Sequence, residues 1–351
     1  MRKALRQLRG RALTALKAAG VFGMVRRSRW RGRRLLILCY HGISLRDEHE
    51  HHPELYVRPE LFAARLEALA RGGYTVLRLP EAVERLQADA LPPRSVCLTF
   101  DDGMHNFSAA AQPVLERFGY PATVYLSTYY CIHDEPVFNP LCSYLLRRAR
   151  GRVVDARASL GMDEVWDLRT TESLGRAFLT VQEAVNRQGW DGRAKTAFAR
   201  RIAEVLGFEF DGLLTNRVFH LLRPDQVVDL ARRGVDFQLH THRHRSPLDR
   251  ELYLREIRQN REHLKSMLGT SPVHFCYPSG YWRPEFLPWL REAGVASATT
   301  TAAGLAAPGA NPLLLPRLLD SEQVAQVEFE AWLTGTMTWL RRPHRNGHGA
   351  P

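Results

Sequence analysis

The sequence predicts an α/β fold in which parallel βαβ units form one large domain, interrupted by a helical insertion. Short apolar runs that favour strands alternate with segments of helical periodicity, which is typical of parallel sheets. The 351 residues, 45% hydrophobic and 25% charged, fit one domain the size of an α/β barrel, with appendages. The alternation stops between residues 129 and 222, where the pattern is mostly helical.

The elements before the insertion follow one another closely. The predicted strands cover residues 35–39, 74–79, 95–100 and 122–127. The predicted helices cover residues 59–71, a short segment from residue 80, and residues 106–118. Gly72 and Gly73 end the first of these helices, and Pro80 begins the second.

The alternation resumes after the insertion. The predicted strands are 235–239, 273–277 and two short runs near residues 296 and 313. The predicted helices are 223–233, 250–268, 284–293 and 321–340. The predicted domain spans residues 35–340, and the tail over 341–351 is expected to be disordered.

The excess positive charge lies in a basic N-terminal arm, residues 1–34. The formal net charge is +12, and the arm holds twelve Lys or Arg residues and no acidic residue. The remaining 37 basic residues balance the 37 acidic ones, so a nucleic-acid partner is not expected. The arm is either a solvated segment with a short helix or a basic amphipathic helix for an anionic membrane surface.

Two further features bear on the cellular compartment. The apolar stretch 18–25 is too short to span a bilayer, and no clear cleavage signal is present. The five cysteines lack metal-finger spacing and are expected to be buried free thiols. We therefore expect a cytoplasmic protein, or one peripheral to the cytoplasmic face of the membrane.

The first candidate motif is Asp101-Asp102-Gly103, directly after a predicted strand. In parallel α/β folds the carboxyl ends of the strands line one crevice, where distant residues converge. Two adjacent carboxylates there need a cation or a proton, and a metal would satisfy one while leaving the other free as a base. The alternative is an ordinary turn in which an aspartate caps the next helix.

The second motif is the histidine run from His240 to His244, which follows another predicted strand. Because His240 and His244 are four residues apart, a helical turn would let both imidazoles reach one ion. Two nitrogens and an aspartate oxygen suit zinc and leave a fourth position for water. The alternative is a solvated basic loop.

The third motif is Tyr277-Pro278-Ser279-Gly280, a tight turn able to present a backbone N–H to a ligand. Taken in order, the three motifs resemble those of the polysaccharide deacetylases, the NodB homology family, over about residues 35–320. The resemblance implies a distorted (β/α) barrel of about seven parallel strands with a divalent metal, Zn²⁺ being expected, at the strand ends. It implies that Asp102, His240 and His244 are the metal ligands and Asp101 the general base. The N–H of Ser279 would stabilise the oxyanion.

The sequence departs from the family pattern in two places. Cys276 stands where the family often has an arginine that holds the base, so this tether is missing or supplied elsewhere. The late Leu-x-His motif of the family, whose histidine is the general acid, has no match in residues 313–320, which offer Pro316 and Arg317. Because a barrel closes its last strand against its first, His41 is the candidate acid. The alternatives are a structural His41, with His242 or His274 as the acid.

The expected function is a metal-dependent hydrolase that removes N-acetyl groups from an N-acetylhexosamine-containing glycan or glycolipid and releases acetate. A carbohydrate esterase or cyclic amidase on the same scaffold is the first alternative, because the motifs specify the metal and the water but not the leaving group. A catalytically degraded sugar-binding or scaffold protein is the second.

Overall fold

A curled sheet of parallel strands lies at the centre of the protein. The computed structural model describes residues 2–162 and 164–340. The strands of this sheet, in chain order, are β1 (Leu36–Tyr40), β2 (Thr75–Val76), β3 (Ser95–Phe100), β4 (Thr123–Leu126), β5 (Asp236–Leu239), β6 (His274–Cys276), β7 (Ser297–Thr299) and β8 (Leu318–Leu319). Seven of them follow the order β7-β6-β5-β4-β3-β1-β8, and β2 pairs with β3 outside that path. The predicted barrel of about seven parallel strands is confirmed.

The end of the chain brings the two edges of the sheet together. β8 pairs in parallel with β1, with Leu318 opposite Leu38. Just before β8, Leu315 forms a parallel bridge with Thr299 of β7. Residues 315–319 therefore lie between β7 and β1 and join the two edges of the sheet.

The strand predicted near residue 313 is wrong. Residues Pro312–Leu314 form a 3₁₀ turn, and the side chain of Asn311 accepts a hydrogen bond from the N–H of Leu313. An Asn cap followed by Pro at the first helical position favours such a turn over a strand. Pairing begins only at Leu315.

Helices surround the sheet and form both termini of the described chain. They are α1 (Arg2–Ala18), α2 (Val21–Arg27), α3 (Arg29–Gly32), α4 (Glu48–His51), α5 (Pro59–Gly72), α6 (Leu79–Gln87), α7 (Gln112–Phe118), α8 (Thr128–His133), α9 (Phe138–Arg148), α10 (Arg157–Leu160), α11 (Thr171–Gln188), α12 (Gly192–Val205), α13 (Asp211–Thr215), α14 (Pro224–Arg232), α15 (Arg250–Leu268), α16 (Phe286–Glu292), α17 (Gln326–Thr334) and α18 (Thr336–Leu340). A π-helical stretch, Phe107–Ala111, precedes α7. With helices on the outside, β1 and β3 are buried along their whole length, which explains the apolar sequence of β1 and the mostly apolar sequence of β3.

The segment over residues 129–222 packs beside the barrel around its own hydrophobic core. This core includes Trp166, Val181 and Phe198, all of them buried. The segment contains helices, as expected from its sequence, and also an antiparallel hairpin that the pattern did not indicate, in which Val153–Asp155 pairs with Val165–Asp167. With its own core, the insertion forms a wall beside the strand ends.

The basic N-terminal segment is packed against the body, so the interpretation of residues 1–34 as a solvated arm is wrong. Leu13 and Phe22 belong to the main hydrophobic core. The guanidinium of Arg31 is buried and donates to the carbonyl oxygens of Leu333 (2.9 Å) and Arg34 (2.7 Å). Leu13 of α1 and Phe22 and Val25 of α2 are buried, and these two helices contact α17, with α2 also contacting α18.

Two other expectations concern the chain ends and membrane spans. The tail over residues 341–351 lies outside the described residues. Among the described helices, none combines the length and the apolar character that crossing a bilayer requires.

Candidate active site

Asp101 and Asp102 follow β3 in a turn that sends their side chains into different surroundings. Asp101 is buried, whereas Asp102 has a φ of 67° and lines a cleft at the carboxyl ends of the strands. Gly103 has a φ of 80°, and a Cβ atom there would lie 2.2 Å from Cδ1 of Leu126. Glycine is therefore favoured both by conformation and by space. The turn presents one enclosed and one accessible carboxylate.

Arg317 holds Asp101 through two hydrogen bonds. Its Nη1 donates to Oδ1 and its Nη2 to Oδ2, each at 2.7 Å. Arg317 lies between Leu315 and β8, so the segment that closes the barrel supplies the tether missing at Cys276. The arginine is fully buried and also donates from Nε to the carbonyl oxygen of Thr300 at 3.0 Å. Bidentate pairing of this kind fixes the plane of the carboxylate.

Two thiols complete the surroundings of Asp101. The Sγ atoms of Cys39 and Cys276 each lie 3.4 Å from Oδ2, and both cysteines are buried. All five cysteines are free, as expected. Cys276 therefore occupies the place next to the carboxylate, and its small side chain leaves room for Arg317 to approach from the opposite edge of the barrel.

The charge state of Asp101 follows from these contacts. Burial alone opposes ionisation, but the guanidinium of Arg317, its hydrogen bonds, and then His41 and His240 outweigh it. The pKa of Asp101 is therefore well below its ordinary value, and the carboxylate is an anion at neutral pH.

Asp102, His240 and His244 form a compact cluster beside Asp101. The Nε2 atoms of His240 and His244 each lie 3.2 Å from Oδ1 of Asp102. The expected helical turn between the histidines is absent from this loop. Instead Thr241 and His244 adopt left-handed conformations, with φ of 61° and 54°. Such conformations are costly for residues other than glycine, and they are often maintained where function requires a fixed geometry.

Contacts behind the cluster orient its histidines. The Nδ1 atom of His240 lies 2.9 Å from the carbonyl oxygen of Cys276, and the side chain of Asn260 accepts a hydrogen bond from the N–H of His240 at 2.9 Å. Because Nδ1 faces that carbonyl, Nε2 is the ring nitrogen that faces Asp102. A contact of this kind, between the other ring nitrogen and a backbone carbonyl, is typical of histidines that bind a metal.

The electrostatics of the cluster also favour a cation. Burial opposes ionisation of Asp102, but the charge of His244 and hydrogen bonds from His240 and His244 place its pKa well below the ordinary value. Burial opposes protonation of His244, but Asp102 raises its pKa overall. A carboxylate with two imidazole nitrogens is a donor set that zinc accepts. Tetrahedral ligands at bonds of about 2.0–2.1 Å lie about 3.3 Å apart, close to the two spacings observed.

Three histidines were candidates for a general acid, and the structure separates them. His41 lines the cleft, and its Nε2 lies 4.0 Å from Oδ2 of Asp101. His242 is buried, contacts Oγ1 of Thr128 at 2.9 Å and stacks on His263. His274 begins β6, at the end of the barrel opposite the cluster. Of the three, only His41 faces the cleft.

The turn after β6 brings Ser279 to the cleft. Ser279 has a φ of 55°, and Gly280, with a φ of 68°, lies so close to Thr301 that a Cβ atom would be 2.1 Å from its Oγ1. Within the described part of the chain, the N–H of Ser279 has no hydrogen-bond acceptor. This free donor lies in a cleft that also contains Asp102 and His244.

The cleft has a volume of about 900 Å³ and two unlike walls. The strand-end loops of the barrel contribute His41, Asp102, His244 and Ser279. The opposite wall comes from the insertion, with side chains that the motifs gave no reason to select: Gln182, Asn186, Trp190, Asp191 and Lys195. The insertion therefore shapes the space available to a bound molecule.

Comparison with known proteins identifies relatives of this chain. A family model described as "Polysaccharide deacetylase" matches residues 88–150 and 178–298. YxkH of Bacillus subtilis, named as a polysaccharide deacetylase, is 35% identical over 94 residues, which are 26% of this chain and 32% of that relative. The chain thus matches about a third of the length of this curated relative.

Solved structures with the same fold extend the likeness to most of the chain. The Streptococcus pyogenes deacetylase PplD, solved with acetate, is 19% identical with a TM-score of 0.56, covering 86% of this chain and 98% of that one. IcaB from Ammonifex degensii is 20% identical with a TM-score of 0.55, covering 87% and 98%. At these identities the likeness concerns the fold.

Proposed function

Because the chain belongs to the polysaccharide deacetylase family, we propose that it is a metal-dependent hydrolase that removes N-acetyl groups from an N-acetylhexosamine-containing glycan or glycolipid. The observation that carries this proposal is the cluster of Asp102, His240 and His244 beside the Arg317-held carboxylate of Asp101, all at one end of the barrel. The products would be acetate and a free amino sugar.

The metal-binding role falls to Asp102, His240 and His244, with zinc as the proposed ion. A divalent ion bound there would lower the pKa of a bound water and polarise the acetyl carbonyl. The protein's part in this is to keep Asp102 ionised and to place Nε2 of both imidazoles towards it, with the contact to the carbonyl of Cys276 orienting His240.

Asp101 is the proposed general base. Its carboxylate is ionised at neutral pH and held in one orientation by Arg317, so it can accept the proton of the attacking water. The low pKa weakens it as a base, but the fixed position beside the cluster offsets this because a correctly oriented group needs no reorganisation.

The other two roles concern the acetyl oxygen and the leaving nitrogen. The N–H of Ser279 lacks an acceptor in the described chain and is the proposed donor to the developing oxyanion. His41 is the proposed general acid, which protonates the nitrogen as its bond to the acetyl carbon breaks. Water thus supplies one oxygen of acetate, the acetyl carbonyl supplies the other, and the amine receives a proton.

Acetate release tests this function directly. Purified protein is incubated with N-acetylated chitotetraose and with an O-acetylated sugar, and acetate is measured in parallel with an Asp101→Asn control. Release from the N-acetyl substrate that the control lacks supports the proposal. Release from the O-acetyl substrate alone would make the protein an esterase, and no release from either, with no metal bound, would favour a degraded sugar-binding protein.

We also propose, from the charge of α1 to α3, that the protein works at an anionic membrane surface. Several basic side chains of these helices are exposed, among them Arg11, Arg27 and Arg29. Others are paired with the body, as Arg9 is with Glu328 at 2.7 Å. The exposed set would provide the attraction to anionic lipids.

A further inference from the structure

Two cations from distant parts of the chain line the same cleft. Lys195 lies on α12 of the insertion, and Arg245 follows His244 in the loop after β5. Lys195 is half-buried and Arg245 is exposed at the rim. Because Arg245 directly follows a proposed metal ligand, its Cα lies only about 3.8 Å from that of His244.

Neither cation has a carboxylate within ion-pair distance in the described part of the chain. The contrast with Arg243, in the same loop and the same cleft, is clear, because Arg243 pairs with Glu256 at 3.0 Å. Asp191 is the acidic neighbour of Lys195, but its carboxylate accepts a hydrogen bond from the N–H of Ala194 at 2.9 Å and caps α12. The two cations therefore retain donors for another group.

Their mutual position is electrostatically unfavourable without an anion between them. Burial and then the charge of Arg245 lower the pKa of Lys195, and Asp191 acts in the opposite direction. Like charges that line one cleft repel each other, and a bound anion would remove that repulsion. The insertion thus places the charge of Lys195 in the same cleft as the charge of Arg245, which belongs to a barrel loop.

Aromatic side chains accompany these cations. Trp190 and Tyr130 line the cleft, and both are half-buried. Trp190 is fixed by an edge-on contact with Phe198, with ring centroids 5.0 Å apart. Arg245 is close enough to Tyr130 to affect its pKa, which burial raises and Arg245 partly lowers. A half-buried indole offers a flat apolar surface for a sugar ring in the same cleft as the two cations.

We propose that Lys195 and Arg245 bind a phosphate or carboxylate carried by the glycan substrate, in the same cleft as the acetamido group that is hydrolysed. The proposal rests on the proposed function only in assuming that this acetamido group is bound at the Asp102 cluster. It makes the substrate an anionic glycan or a glycan phosphate, in preference to a neutral homopolymer.

Binding measurements test the inference without relying on turnover. Metal-loaded Asp101→Asn protein is titrated calorimetrically with three probes: N,N′-diacetylchitobiose, N-acetylglucosamine 1-phosphate, and a glucuronate–N-acetylglucosamine disaccharide. At low salt at least one anionic probe is expected to bind tenfold or more tightly than the neutral one, since hydrogen bonds to charged groups are the stronger kind. The phosphate and carboxylate arms distinguish the two sources of negative charge.

A double variant locates the anion. In Lys195→Gln/Arg245→Gln protein the preference for the anionic probe is expected to disappear, while chitobiose binding changes less than twofold. The matched control is Lys265→Gln/Arg255→Gln, which removes the same charges from exposed positions of α15 outside the cleft and should keep the preference. A preference that survives in the cleft variant would mean that the anion binds the metal itself, and the inference would be wrong.

The outcome also separates this inference from the proposed function. Acetate release from neutral and anionic probes at equal kcat/KM, unchanged in the cleft variant, would overturn the anion site and leave the deacetylase intact. An anion preference lost in the cleft variant, with no acetate from any probe, would support the anion site and overturn the deacetylase. Equal binding of all three probes overturns the anion site whatever the turnover.

Discussion

Arg317 and Asp101 are 216 residues apart in sequence, yet their side chains share two hydrogen bonds of 2.7 Å in the barrel interior. The pair exists because residues 315–319 connect β7 to β1 and carry the guanidinium inwards. Closure of the barrel therefore positions the proposed base, Asp101. The neighbouring residue on β6, Cys276, does not supply the tether. A break in that closure would free Asp101.

Changing Arg317 should impair turnover more than folding if its charge is kept. Arg317→Lys retains a cation but loses the bidentate contact, so Asp101 should be less well oriented, and kcat should fall by about 10²-fold. Circular dichroism and thermal unfolding check that the fold persists. Arg317→Met is the contrast, because a buried carboxylate without its partner should lower the free energy of unfolding by about 3–5 kcal/mol.

An exchange variant tests whether position or identity matters. Cys276→Arg/Arg317→Cys returns the arginine to the strand where the family often has it, next to the same oxygen of Asp101. A kcat of the exchange variant above that of Arg317→Lys would support the tether role. Activity of Arg317→Lys equal to wild type would mean that the pair is merely structural.

How much of this could be predicted from the sequence depends on whether a contact is local. Asp101, Asp102, His240 and His244 lie in short motifs at strand ends, and parallel topology brings such ends together, so their proximity could be predicted. The tether could not, because it forms only when the barrel closes. A signal was nevertheless present: Arg317 lies in an apolar run, Leu-Leu-Leu-Pro-Arg-Leu-Leu, where a buried charge needs a partner.

The insertion and the N-terminal helices illustrate the other limit. The pattern over 129–222 indicated helices but could not show that Trp190 and Lys195 face the cleft, since that depends on how the insertion's core docks. The N-terminal charge suggested a separate arm, whereas burial of Leu13, Phe22 and Arg31 makes it part of the body. The composition gives the charge of an amphipathic helix, but it does not show which face of that helix is buried against the rest of the protein.

The general-acid role of His41 predicts a dependence on the leaving group. His41→Ala should lower turnover of an N-acetyl sugar by about 10²–10⁴-fold. An activated aryl acetate, whose leaving group needs no proton, should be hydrolysed nearly as well as by wild type. His274→Gln, which lies at the far end of the barrel, is the control. Equal losses on both substrates would make His41 structural.

Stability should depend on pH through His274. Burial lowers its pKa from 6.5 to about 4, so between these values the unfolded chain binds a proton that the folded protein does not. The free energy of unfolding should therefore fall as pH falls from 6.5 to 4, by an amount on the order of 3 kcal/mol. His274→Gln should flatten this slope in urea unfolding at pH 7 and pH 4.5. An unchanged slope would mean that His274 is not the group responsible.

Removing residues 1–34 should destabilise the protein. The buried side chains of Leu13, Phe22 and Val25 each contribute about 1.5–3 kcal/mol to the free energy of unfolding, and this contribution would be lost. A melting temperature within a few degrees of wild type would contradict the packing described.

The membrane proposal needs a variant that keeps the fold. Arg11→Gln/Arg27→Gln/Arg29→Gln protein should remain folded and bind anionic vesicles at least tenfold more weakly at low salt. Equal vesicle binding would refute it.

Metal content tests the central claim most directly. Wild-type protein and Asp101→Asn, purified without added metal and analysed by mass spectrometry, should each hold about one divalent ion per chain, with zinc expected. His240→Ala and His244→Ala should each lose it, because each supplies one of three protein ligands. Stoichiometric metal in both histidine variants, or no metal in wild type even after incubation with zinc, would contradict the site as described.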